Sequence, residues 1–192
     1  MIEADYEKES FMLITIQNID WAILHKIRAA LSCRALDFIM PRITLLGNGG
    51  AFWIIAGFAL LLTKKYRRYG ALLLATLAAG ALIGNVALKH LAARSRPCWL
   101  EEVDLLIKTP RDYSFPSGHT LASVIGAMAL KRADRRFGYF AIPLAVLIAF
   151  SRLYLFVHFP SDVLFAALLG LAIGLTGQFV FNRLAAPGES AA

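Results

Sequence analysis

The stretch AVLIAFSRLYLFVHFPSDVLFAALLGLAIG, residues 145–174, has the apolar character of membrane-spanning helices but carries four unusual polar side chains. They are Ser151, Arg152, His158 and Asp162. Charged side chains inside a bilayer are costly, and they are retained where they have a partner or a function. We therefore expect two membrane helices here, joined by a turn that has a chemical role.

The composition of the whole chain is typical of a membrane protein. Its 192 residues are 58% hydrophobic and its mean hydropathy is +0.61, whereas soluble domains are roughly half apolar. The net charge of +7 is gathered in short clusters, which argues against a nucleic-acid partner. We expect no cleavable signal peptide, because the N-terminus MIEADYEKES is acidic.

Apolar runs of spanning length predict the architecture, since a membrane helix needs about 20 such residues. Four runs lie at 45–62, 69–88, 138–157 and 160–181, and a shorter run lies at 120–130. We expect an all-α membrane bundle of five spanning helices, with six as the alternative. Residues 1–44 mix charged and apolar side chains, which predicts an amphipathic segment at the membrane interface. Residues 45–182 would then form the membrane-embedded domain, and 183–192 a short tail.

Two basic clusters predict the orientation of the bundle. KKYRRY (64–69) and KRADRR (131–136) occupy short loops, and loops of this kind stay in the cytoplasm. The loop 89–117 and the turn at His158 would then face the outside. The loop 89–117 is itself basic, which departs from the rule and indicates a function for its cations.

The expected topology gathers the unusual polar residues at the outer ends of four helices. A helix from Ser117 to Leu130 rises only about 21 Å, against a hydrocarbon core of about 30 Å. His119 should therefore lie below the outer surface. Arg152 precedes the end of its run at Val157 by roughly 7–8 Å of helix and should also be recessed. The sequence thus predicts one sunken polar pocket.

The residue types in this pocket indicate a phosphate ligand. Its expected cations are Lys89, Arg96 and Arg152, and Asp162 is the only evident carboxylate partner. Buried cations need an anion, and arginine matches phosphate oxygens in two-point fashion. Ser117 and Gly118 open a helix, whose free N–H groups form a ready anion site.

The two histidines of the pocket suit phosphoryl transfer. Asp162 follows His158 by four residues and can orient the ring of a nucleophilic histidine. His119 then suits the general acid that protonates the leaving oxygen. Three cations would stabilise the transferred group, so we expect a reaction without a metal or cofactor.

These residues form three motifs, and the motifs resemble the signature of the type 2 phosphatidic acid phosphatase family. That family shares its site with vanadium haloperoxidases. The motifs are K-x6-R-P at Lys89, Arg96 and Pro97, P-S-G-H at 116–119, and S-R-x5-H-x3-D at Ser151, Arg152, His158 and Asp162. Every position of the signature is present, in order, between residues 89 and 162.

The resemblance implies a membrane lipid phosphatase that works through a phosphohistidine intermediate. His158 would attack phosphorus, Asp162 would orient it, and His119 would protonate the leaving group and later activate water. The implied phosphate-binding residues are Lys89, Arg96, Ser117, Gly118 and Arg152. With the orientation predicted from the basic loops, the expected setting is the plasma membrane with the site on the extracytoplasmic side. No obligatory protein partner is evident from the sequence.

The substrate is the least defined part of this hypothesis. Resemblance to small undecaprenyl-diphosphate phosphatases makes undecaprenyl diphosphate the expected lipid, with phosphatidate and phosphatidylglycerol phosphate as alternatives. The loop 98–114 should form the mouth of the site, and its Glu101, Glu102 and Asp104 disfavour a highly anionic head group. A lipid phosphotransferase uses the same covalent step and stays open. A haloperoxidase is disfavoured by the multiple spans, and a non-catalytic binder by the complete set of reactive residues.

Contacts between the helices can be predicted in part. Two GxxxG spacings, at 80–84 and 170–174, let helix backbones approach closely, and we expect them to pack within the chain. Cys33 and Cys98 are the two cysteines. The sequence leaves their pairing open because it does not give the distance between them.

Overall fold

The computed structural model describes residues 2–185, and the side chains of 13–183. The longer helices are α1 (Ile2–Leu31), α2 (Arg34–Gly47), α3 (Ala51–Leu62), α4 (Arg67–Gly80), α7 (Gly118–Ala133), α8 (Arg135–Tyr154) and α9 (Pro160–Ala185). A 3-10 turn (Asn48–Gly50) joins α2 to α3, and a π-helical segment (Ala81–Leu88) joins α4 to α5 (Lys89–Ala92). The short helix α6 (Pro97–Leu100) opens the loop that leads to α7. The prediction of an all-α membrane bundle is confirmed for the described residues.

The helix α7 lies at the centre of the bundle. It packs most extensively against α8 and α9, and also against α4. Trp53 of α3 is fully buried against it and donates to Ser123 Oγ at 3.1 Å. The glycines of both GxxxG spacings face side chains of α7, such as Leu121 and Met128. The expected packing within the chain is therefore confirmed.

The number of spanning helices is lower than predicted. Within residues 2–185, four stretches are long and apolar enough to cross a membrane: Arg34–Leu62, Arg67–Leu100, Arg135–Tyr154 and Pro160–Arg183. The fifth predicted span, 120–130, lies in α7, which has only 16 residues. This helix is surrounded by protein, so it needs neither the length nor the all-round apolar surface of a helix in lipid.

The N-terminal region forms two helices. The predicted boundary at residue 44 falls inside α2, which continues to Gly47 and belongs to the stretch Arg34–Leu62. The interfacial position of residues 1–44 stays a prediction, and 186–192 of the expected tail lie outside the described residues. The helix α1 packs against α8 and α9, with Leu24 fully buried. Cys33 and Cys98 are free thiols.

The two predicted basic loops lie together at one end of the bundle. Tyr66 Oη donates to Asp134 Oδ2 at 2.9 Å, which joins the loop after α3 to the loop before α8. Arg132 also donates to Asn182 near the end of α9. The turn between α8 and α9 and the loop before α7 therefore lie at the opposite end, where the motif residues gather.

Candidate active site

A cavity of about 1600 Å³ brings together six of the eight predicted site residues. These are Lys89, Arg96, Gly118, His119, Arg152 and His158. The other two, Ser117 and Asp162, are fully buried next to them rather than on the cavity wall. The prediction of a single polar pocket built from three distant motifs thus agrees with the described geometry.

The turn between α8 and α9 places His158 on the cavity. The helix α8 ends at Tyr154, earlier than the predicted 157, and the chain turns through Phe156 with φ 59°. A positive φ is uncommon for a bulky residue, so this turn is held by its surroundings. Pro160 then begins α9, as its fixed φ predicts. His158 is left almost fully buried, with one ring edge toward the cations.

Hydrogen-bond partners define the tautomer of His158. Arg96 Nη1 lies 3.0 Å from Nε2 of the ring, and a guanidinium can only donate. Nε2 is therefore the acceptor nitrogen, and in the neutral ring Nδ1 carries the proton. The lone pair that can attack an electrophile thus lies on the side of the arginine.

Asp162 reaches His158 largely through a serine that the motifs do not include. Asp162 Oδ2 is 3.7 Å from His158 Nδ1, longer than a hydrogen bond. Ser114 Oγ lies 3.4 Å from Nδ1 and donates to Oδ2 at 2.5 Å, and the backbone N–H of Phe159 also donates to Oδ2. The carboxylate is held in place behind the ring, in a position suited to orienting it.

The carboxylate partners of the cations differ from the prediction. Lys89 and Arg96 both pair with Asp112, from the loop before α7, and Arg96 also donates to its backbone oxygen. Asp162, the expected partner, pairs instead with Arg94. Burial by itself would raise the pKa of the Asp112 carboxyl, but the hydrogen bonds and charges of the two cations lower its pKa to about 2.

Of the three motif cations, Arg152 is the one without a carboxylate partner among the described residues. It is 3% exposed, and its Nη1 donates to the hydroxyl of Thr44 on α2. Its Nε is buried without a hydrogen-bond partner in the described part of the chain. A buried guanidinium with unused donors is suited to bind an anion that enters the cavity.

The end of α2 positions His119. His119 Nε2 lies 2.9 Å from Asn48 Oδ1, so this nitrogen donates, and Nδ1 is the ring nitrogen that remains for proton transfer. Gly47 lies so close that an added Cβ would be 2.6 Å from His119 Cδ2. Ser117 caps α7 by accepting from Thr120, and it does not line the cavity.

The mouth of the cavity is cationic, which differs from the charge expected for the loop 98–114. Lys108 and Arg111 line the cavity and are exposed. The acidic residues of this loop before position 112 do not line it, and Glu101 lies 3.3 Å from His25 of α1. The argument from sequence against an anionic head group therefore loses its basis, because those carboxylates do not line the cavity.

The opposite part of the cavity wall is apolar. Its side chains come from α3 and α4 and include Ile54, Phe58, Leu74 and Leu77. The cavity therefore joins a cationic wall to an apolar wall between two membrane helices. Such a combination fits a ligand with an anionic head and an apolar chain.

Several residues of the site lie outside the three motifs. They are Asp20, Thr44, Asn48, Arg94, Asp112 and Ser114. Asp112 could have been predicted, because buried cations need an anion and it is the acid closest to the second motif in the basic loop.

Among the described residues, no three or more His, Cys, Asp or Glu side chains lie close enough together to hold a metal ion. A metal-free reaction stays a prediction.

The fold and the site define an integral membrane protein with an oriented histidine facing a cavity lined by cations. The chain belongs to the PAP2 superfamily, whose family model matches residues 68–184. The resemblance that the three motifs predicted is thereby confirmed.

The relatives of the chain include several lipid phosphatases. The chain is 36% identical to an undecaprenyl-diphosphatase of Sulfolobus acidocaldarius over 120 residues, which cover 62% of this chain and 58% of the relative. It therefore spans just over half the length of that relative. A PAP2-type phosphatidylglycerolphosphate phosphatase of Bacillus subtilis shares the fold with a TM-score of 0.73 and 27% identity, covering 88% of this chain and 87% of that one. LpxE of Aquifex aeolicus also shares the fold, with a TM-score of 0.73 and 26% sequence identity. The match covers 83% of this chain and 94% of that one.

Proposed function

We propose that this chain is a lipid phosphatase that hydrolyses a polyprenyl diphosphate, with undecaprenyl diphosphate as the substrate. The observation that carries the proposal is the single cavity in which His158, His119 and three cations meet an apolar wall. Identity of 36% to an undecaprenyl-diphosphatase supports this choice of lipid. Hydrolysis would release inorganic phosphate and leave the lipid monophosphate in the membrane.

The first step transfers the terminal phosphoryl group to His158. The Nε2 lone pair forms the P–N bond while the bond from phosphorus to the bridging oxygen breaks. The electron pair goes to the leaving oxygen, which takes a proton from His119. Arg96 donates to Nε2 before the reaction and is placed to pass that hydrogen bond to a phosphate oxygen. Lys89 and Arg152 stabilise the negative charge on the transferred group.

The second step releases the phosphate. His119 is now neutral and accepts a proton from water, whose oxygen attacks phosphorus. The P–N bond breaks, and its electron pair returns to Nε2 of His158. Asp162 stabilises the positive charge that the ring carries while it is phosphorylated, through Ser114 and its own carboxylate.

The cationic mouth favours a diphosphate over a monophosphate. Lys89, Arg96 and Arg152 are sufficient for one phosphoryl group. Lys108 and Arg111 line the same cavity but are exposed, whereas the first three are buried. A second phosphate, which carries the lipid chain, would place its charge near these outer cations. Phosphatidylglycerol phosphate is the second candidate, because the structure resembles a phosphatase for that lipid with a TM-score of 0.73.

The proposed location of the site is the extracytoplasmic side of the plasma membrane. The support is the common position of the two basic loops at the end opposite to the motif residues. Loops rich in lysine and arginine remain on the cytoplasmic side. The site would therefore receive lipid from the outer leaflet.

The test is phosphate release by the purified full chain in detergent micelles that contain EDTA and no added metal. The substrates are undecaprenyl diphosphate, phosphatidate and phosphatidylglycerol phosphate. We expect fastest release from the first, loss of release in His158→Ala, and near wild-type release in the control His25→Ala. His25 is an exposed histidine of α1 that does not line the cavity.

The other outcomes point to different functions. Faster release from a glycerol lipid would replace the proposed substrate, and recovery only with magnesium would contradict the metal-free reaction. Substantial turnover by His158→Ala would overturn the nucleophile. Consumption of the lipid without free phosphate, with a phosphorylated second lipid as product, would identify a transferase.

We also expect vanadate to inhibit the release of phosphate, since it would occupy the phosphate position.

A further inference from the structure

An ion-pair network with two buried carboxylates and a partly buried arginine connects the N-terminal helix to the carboxylate behind His158. Arg94 donates from Nη1 to Asp162 Oδ1 at 2.5 Å and from Nη2 to Asp20 Oδ2 at 2.7 Å. It also donates to Ser161 Oγ and to the side-chain oxygen of Gln17. Asp20 is 2% exposed and accepts from both the backbone N–H and the hydroxyl of Ser161.

This network lies behind the reactive residues rather than on the cavity. Arg94, Asp20 and Asp162 do not line it, although Arg96 two residues further on does. Arg94 therefore has no direct access to a ligand in the cavity. Its path to the chemistry runs through Asp162, whose other oxygen is held by Ser114 and by a backbone N–H.

We propose that Arg94 and Asp20 are positioning residues that fix the direction and the charge of the Asp162 carboxylate, and through it the ring of His158. The proposal rests on the hydrolysis proposed above. With partners on both oxygens, the carboxylate has one orientation. The adjacent guanidinium would by itself cancel the negative charge of Asp162. Asp20 supplies a second carboxylate to that guanidinium, so the group as a whole keeps one net negative charge beside His158.

Apolar contacts also hold α1 against the turn, which makes the network separable from the fold. Leu24 is fully buried in a cluster with Phe156 and Phe159. Trp21 packs edge-on against Phe159, with ring centroids 5.1 Å apart. The helix can therefore remain docked when a polar member of the network is replaced by a residue of similar shape.

The test measures kcat and KM of the full chain in micelles, using the lipid that the wild type hydrolyses fastest. We expect Arg94→Gln to lower kcat by about 10- to 100-fold with KM changed less than about threefold. Arg94→Lys should recover part of the loss, because it restores the charge. Asp20→Asn keeps the shape and should lower kcat by about 3- to 10-fold. The control is Arg42→Gln, an exposed arginine of α2 outside the cavity, which should match the wild type.

A double-mutant cycle tests the route through Asp162. If Arg94 acts through that carboxylate, Arg94→Gln combined with Asp162→Asn should be no slower than Asp162→Asn alone. Full additivity of the two losses would overturn the proposal, as would an unchanged kcat in both Arg94→Gln and Asp20→Asn. A rise in KM with constant kcat would assign Arg94 to substrate binding and equally overturn it. If the wild type releases no phosphate, the proposed function itself fails, which is a separate result.

Discussion

Ser114 lies between the two residues that the third motif pairs, and its hydroxyl contacts both of them. It is fully buried, and it holds Asp162 while lying 3.4 Å from His158 Nδ1. We expect Ser114→Ala to lower kcat by about 10-fold or more with little change in KM, because the ring loses its link to the carboxylate. The measurement is phosphate release over a range of lipid concentrations.

The matched control for this prediction is Ser123→Ala. Ser123 is equally buried and also loses one hydrogen bond, from Trp53, but it lies in the core of the bundle. We expect it to reduce stability by about 1 kcal/mol and to leave kcat near the wild-type value. Equal kinetic losses in the two variants would show that Ser114 acts only through stability.

The pH dependence of stability should report Asp112. Its folded pKa of about 2 lies below the ordinary value of 3.8, so its contribution is complete above pH ~4 and is lost as pH falls through about 2. Linkage gives roughly 2 kcal/mol, which solvent screening of this half-exposed side chain reduces to about 1 kcal/mol. The difference in thermal unfolding between wild type and Asp112→Asn should therefore be largest at pH 5 and should narrow as the pH falls toward 2.

An acid of the same loop provides the comparison for this measurement. Asp104 is exposed and does not line the cavity, and Asp104→Asn should unfold at nearly the wild-type temperature at pH 5. A difference between wild type and Asp112→Asn that stays constant from pH 5 to pH 2 would contradict the role of its ionisation.

The role of a residue could be predicted from the sequence where the residue belongs to a motif. It could not be predicted where only the tertiary fold brings the residue to the site. Lys89, Arg96 and Arg152 were predicted as phosphate-binding cations at the outer ends of the helices, and all three line the cavity. Arg94 looked like one more cation of a basic loop, because its partner Asp20 is 74 positions away. A contact between residues so far apart in the sequence cannot be predicted from one sequence unless both residues belong to a recognisable motif.

At the scale of elements, the break between α2 and α3 has a direct effect on the site. Gly47 ends α2 against His119, where an added Cβ would also lie 2.9 Å from Ile148 Cγ2. We expect Gly47→Ala to destabilise the protein by about 1–3 kcal/mol, because the ring and Ile148 must both shift. Release of phosphate should fall as well, since the contact of His119 with Asn48 would be displaced.

Gly174→Ala is the control for Gly47→Ala. It introduces a similar steric clash between helices but does not displace His119. An added Cβ there would meet Met128 Sδ at the same distance of 2.6 Å, but on α9 and outside the cavity. Met is flexible, so the loss of stability should be smaller, and kcat should stay near the wild-type value. An unchanged kcat in Gly47→Ala would contradict the role of this break.

The helices around the catalytic turn were predicted well, and the N-terminal region less well. The run 160–181 corresponds to α9, because Pro160 and a long apolar pattern define its start and body. The division at residue 44 does not coincide with a helix end. In this region Pro41 lies inside α2 without ending it, and the helix ends at Gly47. The predicted division followed the apolar run 45–62 and not this glycine.

At the scale of the whole molecule, hydropathy predicted the class but not the number of spans. Windows of apolar residues identify helices that face lipid. The helix α7 faces protein on most sides. It begins at Gly118, and its cap Ser117 donates its backbone N–H to the backbone oxygen of the fully buried Asp162. The helices around α7 determine how deep it lies in the membrane. The hydropathy of its own sequence therefore does not predict its position.

The two ends of the molecule should label from opposite sides of the membrane. The basic loops meet through Tyr66 and Asp134, and Lys108 lies at the cavity mouth at the other end. In a background with Cys33 and Cys98 replaced by serine, an impermeant maleimide added to intact cells should label Lys108→Cys. Lys64→Cys, in the first basic loop, should react only after permeabilisation. The reverse pattern would place the cavity in the cytoplasm, and a site there would act on inner-leaflet lipid.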